Sequence, residues 1–225
     1  MYICGVPKNL AAFKKLIDVE QALFGDRALS LKASVALFKK RPDIYTTVLC
    51  PNGSIAAYLT AYPLRPKCAE ALIEGKITEP ELTPNMLLTR RANLEGSSFY
   101  IGSVVVDSKL DPILKSILLI SLAQYRVRQL QADPVRRFSV IMTAVSKEGR
   151  RLVNWIGAEK LNDGANRKDG LDLYGRTITR DFMYQTCAAV ERFFDNRFVQ
   201  IDFPSRPPDR RGVAGIEARH AALYQ

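Results

Sequence analysis

Residues 97–157 constrain the fold more than any other part of the chain. Their periodicity predicts an apolar strand over 98–106, a loop over 107–111 and a long helix over 112–131. A second apolar strand over 138–145 and a second helix over 147–156 follow, with Gly157 as the stop. Both strands are nearly continuous in apolar character, which predicts burial on both faces. Ile113, Ile117, Ile120 and Val127 recur at helical spacing beside Leu114, Leu118 and Leu122, so the helix has a broad face to lay on a sheet. Strand, helix and strand in this order form a right-handed parallel crossover.

The flanking segments supply what completes a sheet around that unit. Leu10, Phe13, Leu16, Ile17, Leu23 and Phe24 predict a helix stopped at Gly25. A second helix is expected over 30–40, with Ser30 as N-cap and Arg41-Pro42 as its end. Residues 44–50 and 55–64 read as strands of a hairpin, with Asn52-Gly53 supplying positive φ angles at the turn. A short helix over 67–74 precedes Thr78-Glu79-Pro80-Glu81, a capping-box pattern opening a further helical turn. Residues 83–96 read as an irregular surface connection, 171–178 as a returning strand and 182–194 as an amphipathic helix. Beyond Phe203 the chain turns rich in Pro, Arg and Gly, so the expectation is one domain over 1–200 and a tail over 201–225.

Composition narrows the class. The 225 residues are 47% hydrophobic, enough for a sizeable core, and the longest apolar run is too short and too polar to span a bilayer. No signal-peptide pattern opens the chain. Four separated cysteines (Cys4, Cys50, Cys68, Cys187) and a single histidine, His220, argue against a zinc site and against Ser/His/Asp or Cys/His catalysis, and predict free thiols in a cytoplasmic protein. The net charge of +10 attracts phosphates and leaves nucleic acid open as a partner. Nothing specifies an oligomer or excludes one.

Three stretches resemble the GNAT superfamily of N-acyltransferases: IAAYLTAYPL with AEALIEGKITEPEL, SSFYIGSVVVDSKLDPILKSILL, and VSKEGRRLVNWIGAEKL. The resemblance covers about residues 44–178. It implies an α/β (α+β) fold with a mixed, mostly antiparallel sheet, flanked by helices, whose central parallel strand pair splays apart. It further implies acyl transfer from acetyl-CoA or another acyl-CoA to an amine, on a small molecule or a protein, by direct attack. Val104, Val105 and Val106 would then lie with Ser103 along the pantetheine arm, and residues 138–144 would form the opposite wall. Ser108, Lys109, Lys115 and Ser116 would meet the pyrophosphate at a helix N-terminus. Ser146, Gly149 and Arg150 would contribute from the second helix.

The motifs depart from the family in two places. The family loop reads Q/R-x-x-G-x-G/A, whereas this chain has Ser108-Lys109-Leu110-Asp111-Pro112-Ile113-Leu114-Lys115, with no glycine and with one N–H removed by Pro112. Asp111 and Pro112 instead suit the N-cap and first position of a helix. The tyrosine that serves the family as general acid falls at Val153. Acyl transfer needs a base and an acid, so Glu95 and Glu148 are candidate bases, and Tyr100 is a candidate acid or orienting group. Arg136, Arg137, Lys147, Arg150 and Arg151 are expected to cluster around the second strand. A GNAT-like binding protein without catalysis, and an acyltransferase directed to nucleic acid, are the alternatives.

Overall fold

A computed structural model describes residues 2–25, 28–89, 92–131, 135–182, 185 and 201–202. The elements run β1 (Tyr2–Gly5), α1 (Leu10–Phe24), α2 (Leu31–Lys40), β2 (Tyr45–Leu49), β3 (Ile55–Leu64) and α3 (Pro66–Ile73). They continue with β4 (Ser98–Val106), α4 (Pro112–Gln131), β5 (Arg137–Thr143), α5 (Lys147–Trp155), β6 (Glu159–Asn162), β7 (Leu173–Thr179) and β8 (Ile201–Asp202). The strands form one sheet in the order β6-β7-β5-β4-β3-β2-β1-β8. Only β4–β5 and β1–β8 pair in parallel.

β3 shows why the sheet is covered on both faces. Its sequence, IAAYLTAYPL, is buried at every position after the first. Tyr58 and Tyr62 point to one side, where they pack with Phe13, Leu16, Leu37 and Leu72 from α1, α2 and α3. Ala57 and Leu59 point to the other, against Leu118, Leu122 and Tyr125 of α4. This is the period of two of a strand read through three layers. In the first layer aromatic rings form a continuous row. Phe13 stacks on Phe38 at 4.2 Å, Phe13 meets Tyr45 edge-on at 4.7 Å, Tyr45 meets Tyr62 at 6.5 Å, and Tyr62 stacks on Tyr100 at 6.2 Å. Each such pair adds about 0.5–1.5 kcal/mol beyond burial. The row runs from the helices into β4.

Several expectations are corrected. At the hairpin only Gly53 takes a positive φ (79°), and no described non-glycine residue does. The turn is longer than a two-residue loop: Cys50 N–H donates to Ser54 O and Gly53 N–H to Cys50 O, with a bulge at Val48/Leu49. Asn52 contributes through its side chain, accepting from Ser54 N–H. Strands β1, β6 and β8 escape the sequence reading because they are only two to four residues long. The expected cluster of basic residues is divided: Arg136 and Arg137 stand at the N-terminal end of β5, and Lys147, Arg150 and Arg151 lie beyond its C-terminal end in α5. Most of the expected 182–194 helix, residues 203–225 with His220, and Cys187 lie outside the described residues. No described helix is long and apolar enough to cross a membrane.

The loop between β6 and β7 is pinned from below. Arg167 is buried, and its Nε and Nη2 donate to the two carboxylate oxygens of Asp169 at 3.1 and 2.8 Å. Its Nη1 donates to Leu72 O of α3 at 2.5 Å. This bidentate pair holds Lys168, Asp169 and Leu171 beside the sheet. Arg167→Ala leaves a carboxylate without its partner and should cost about 3–5 kcal/mol, read as a lowered urea midpoint at an unchanged m-value.

Candidate functional site

The parallel pairing of β4 with β5 runs from Ser98–Ser139 to Ile101–Met142 and stops there. β4 continues to Val106, still paired on its other side with β3. The strands therefore part, and one side of the β4 backbone over 102–106 faces a gap. A bulge lies at the point of parting: Gly102 and Ser103 together oppose Thr60, between the pairs Ala61–Ile101 and Leu59–Val104. Ser103 N–H donates to Thr60 Oγ1 at 2.7 Å, so the N–H that the bulge removes from the ladder is satisfied by a side chain.

The gap opens into a cleft of about 840 Å³. Its walls come from Ile101 to Val104 of β4, from Met142, Thr143 and Val145 at the end of β5, from Ser146, Gly149 and Leu152 of α5, from the end of α1, and from the 78–81 and 168–171 loops. Two carboxylates meet at the bulge. Glu79 leans on Gly102 so closely that a Cβ there would collide with its Oε1 and lie 2.7 Å from the Tyr62 ring. Any side chain there displaces the Glu79 carboxylate or the Tyr62 ring. Tyr100 OH donates to Glu79 Oε2 at 3.2 Å and lies 3.4 Å from Thr143 Oγ1. Glu20, 3% exposed, accepts from Ser103 Oγ at 2.7 Å, and its Oε2 has no partner among the described residues.

Burial and the nearby Glu20 charge push the Glu79 carboxyl up to about 8, against the opposing effect of the Tyr100 and Tyr62 hydroxyls. Burial also raises Glu20, moderated by its bond to Ser103. Tyr100 is raised well above its ordinary value by burial and then by Glu79, which makes it a hydrogen-bond donor rather than an acid. Among the described residues no cluster of His, Cys, Asp and Glu could hold a metal ion.

Of the residues singled out from sequence, Tyr100, Val104, Ser146 and Gly149 line the cleft. Val105 and Val106 do not; Val105 packs in the α1–α3 layer and Val106 in the α4 layer. Glu95 stands before β4, at the opposite end of the strand from the cleft. It accepts from the N–H groups of Arg136 (2.5 Å) and Arg137 (3.2 Å), which hold its carboxyl below the usual range. Glu148 is exposed in the first turn of α5, lowered by its own N–H. Ser146 caps α5 by accepting from Gly149 N–H at 2.9 Å, and Arg150 is exposed.

The loop before α4 is closed on itself. Asp111 Oδ1 accepts from Ile113 N–H (2.8 Å) and Leu114 N–H (3.3 Å), and Asp107 Oδ1 accepts from Lys109 N–H (2.9 Å). Lys115 Nζ donates to Ser108 O at 2.7 Å, and Ser116 Oγ to Pro112 O at 3.1 Å. The N–H groups that would cradle a pyrophosphate are taken by carboxylates of the chain, and a pyrophosphate does not fit there. The β4 edge over 102–106 stays open toward β5, while the N–H groups of Lys109, Ile113 and Leu114 are engaged within the chain.

Sequence reasoning missed Glu79, Glu20 and Thr60. Glu79 was hidden inside the capping box, whose working acid is Glu81, bonded to Thr78 N–H at 2.8 Å. Glu20 did leave a signal: it falls on the buried stripe of α1 with Phe13, Leu16 and Ile17, where a charge has no ordinary place.

No protein-family model and no curated protein matches the sequence. Solved structures do match. A mosquito arylalkylamine N-acetyltransferase like 5b superposes with a TM-score of 0.52 at 10% identity, over 79% of this chain and 100% of that one. Ard1 from Thermoplasma volcanium gives 0.50 at 8% identity, over 79% and 97%. The chain has the GNAT fold.

Because Glu20 and Glu79 both favour the neutral form when folded, stability should decline as pH rises from the ordinary carboxylate range through about 8. Glu20→Gln removes the charge that raises its neighbour. The Glu79 carboxyl should then titrate lower in carbon-13 NMR, and the decline in thermal midpoint should become shallower.

Proposed function

We propose that the protein is an N-acyltransferase, moving an acyl group from a pantetheine thioester, acyl-CoA being the simplest, to an amine by direct attack. The observation that carries this reading is Glu79, a carboxyl raised to about 8 and held at the point where β4 and β5 part. The GNAT fold supports the reaction class, and the acetyltransferase named among its structural neighbours is consistent with it.

The amine nitrogen bonds to the acyl carbon as the thioester C–S bond breaks; the nitrogen gives up one proton, and the departing thiolate takes a proton from the protonated base or from water. Glu79 is placed to take the nitrogen's proton, and a base whose pKa lies near the working pH is the most effective one. This gives Glu79 the role that the sequence suggests for Glu95. Tyr100 acts as a positioning residue, fixing Glu79 Oε2 through its hydroxyl. Burial, and after it the like charge of Glu20, keeps the Glu79 pKa high. The open edge of β4 offers backbone groups to the amides of the donor's arm, and Leu23, Phe24 and Met142 add apolar lining to the same cleft.

Thiol release from acetyl-CoA and acetyl-pantetheine over a panel of amines tests the proposal. The rate should rise with pH through about 8. Glu79→Gln should lower kcat/KM by about 100-fold or more, with the fold retained by circular dichroism. Gly102→Ala should do the same by displacing the Glu79 carboxylate. Absence of amine-dependent thiol release from both donors would overturn the reading and leave the cleft as a binding site.

A further inference from the structure

The cleft is prepared for an arm and unprepared for a nucleotide. Of the loop before α4, the N–H groups of Lys109, Leu110, Ile113 and Leu114 are already bonded to Asp107 or Asp111, and Pro112 has none. A pyrophosphate brought there would meet two carboxylates and displace bonds the chain makes to itself. The positive end of the α4 dipole is likewise neutralised by Asp111.

The surface around the mouth has a different character. α4 and α5 start just beyond the C-terminal ends of the parallel strands β4 and β5, so their first turns flank the gap. Ile113 is 52% exposed at the start of α4, and Val145 47% exposed just before α5. Lys109, Lys147, Arg150 and Arg151 are exposed around them. These four cations outnumber the three acids of the same turns, Asp107, Asp111 and Glu148, each of which accepts from backbone N–H. Exposed aliphatic side chains within a basic periphery complement a partner that is acidic and amphipathic.

We propose that the donor is recognised through its pantetheine arm rather than a nucleotide, and that this face receives the acidic carrier protein on which such an arm is borne. The inference rests on the acyltransferase reading, which requires a pantetheine thioester in the cleft. Such thioesters come on coenzyme A or on a phosphopantetheinylated carrier. A loop that has closed its own N–H groups removes the contact that distinguishes the first, and the apolar and basic rim supplies one for the second. The arm enters along β4 past Val104, and the carrier's acidic surface rests on the first turns of α4 and α5.

Binding to the full chain tests this without knowledge of the acceptor, using coenzyme A, 4′-phosphopantetheine and a holo acyl carrier protein in titration calorimetry. Coenzyme A and 4′-phosphopantetheine should bind within about threefold of each other, since no charge-assisted bond awaits the nucleotide phosphates. The holo carrier should bind at least about tenfold more tightly than 4′-phosphopantetheine and lose that advantage as salt rises. Reversing Lys147 and Arg151 to Glu should cut the carrier's advantage by about tenfold, with circular dichroism confirming the fold. Asp111→Ala, which frees two N–H groups, should strengthen coenzyme A relative to 4′-phosphopantetheine. Coenzyme A binding more than about thirtyfold tighter than 4′-phosphopantetheine in the wild type would overturn the proposal and leave the acyltransferase reading standing. A carrier no tighter than 4′-phosphopantetheine would overturn its docking half. If none of the three binds, the acyltransferase reading falls with it.

Discussion

The hydrogen bond from Ser103 N–H to Thr60 Oγ1 sits under everything the cleft does. A bulge in a central strand leaves a backbone donor without its ladder partner, and in a buried sheet an unsatisfied N–H costs about 1–3 kcal/mol. Thr60 removes that cost from the neighbouring strand, so the extra residue in β4 is held without loss. With the bulge held, β4 bends at the position where its pairing with β5 ends. The same two residues turn the open side of Gly102 to Glu79 and the hydroxyl of Ser103 to Glu20. Gap, open β4 edge and carboxylate pair therefore share one local cause.

Two carboxylates in one apolar layer repel each other, and the fold accommodates them through proton occupancy rather than a salt bridge. No described lysine or arginine is bonded to either Glu20 or Glu79; their partners are hydroxyls. Hydroxyl donors favour the ionised forms without cancelling the charge, while burial opposes ionisation more strongly. Contrast Arg167, where the buried charge is matched at once by Asp169 and Leu72 O and serves only to fix a loop. The aromatic row from Phe13 to Tyr100 carries the rigidity of the α1–α2 layer to the hydroxyl that holds Glu79. Packing and chemistry thus meet at one side chain.

What could be read from the sequence follows from how local each signal is. α4 begins at Pro112 as expected because Asp111-Pro112 is a complete helix start within two residues. β4 was legible from its unbroken apolar run, and the splay followed from the resemblance that run carries. The partners of the site were not legible, because each contact spans a long stretch of chain: Ser103 to Glu20 across 83 residues and Tyr100 to Glu79 across 21. Glu95 drew attention by lying next to β4 in sequence, yet that adjacency places it at the wrong end of the strand. Short β6, with its polar Glu-Lys-Leu-Asn sequence, has no period to detect and exists because β7 offers an edge.

The loop before α4 is ordered from within the chain. A glycine-rich loop leaves its N–H groups unsatisfied until a phosphate arrives, so its order depends on the ligand. Here Asp107, Asp111 and Pro112 complete the helix start from within the chain, and the loop is ordered without one. Such a change removes the energetic reason for an anion to bind while leaving the strands, the bulge and the carboxyl pair intact. The bulge is held by Thr60 and the two carboxyls by Ser103 and Tyr100, none of them in the loop before α4. In the proposed acyltransferase, the carboxyl end of the cleft is therefore built independently of the loop before α4. The self-capped loop and the raised carboxyl are compatible in one molecule for that reason, and the proposed donor, held by its arm alone, is consistent with both.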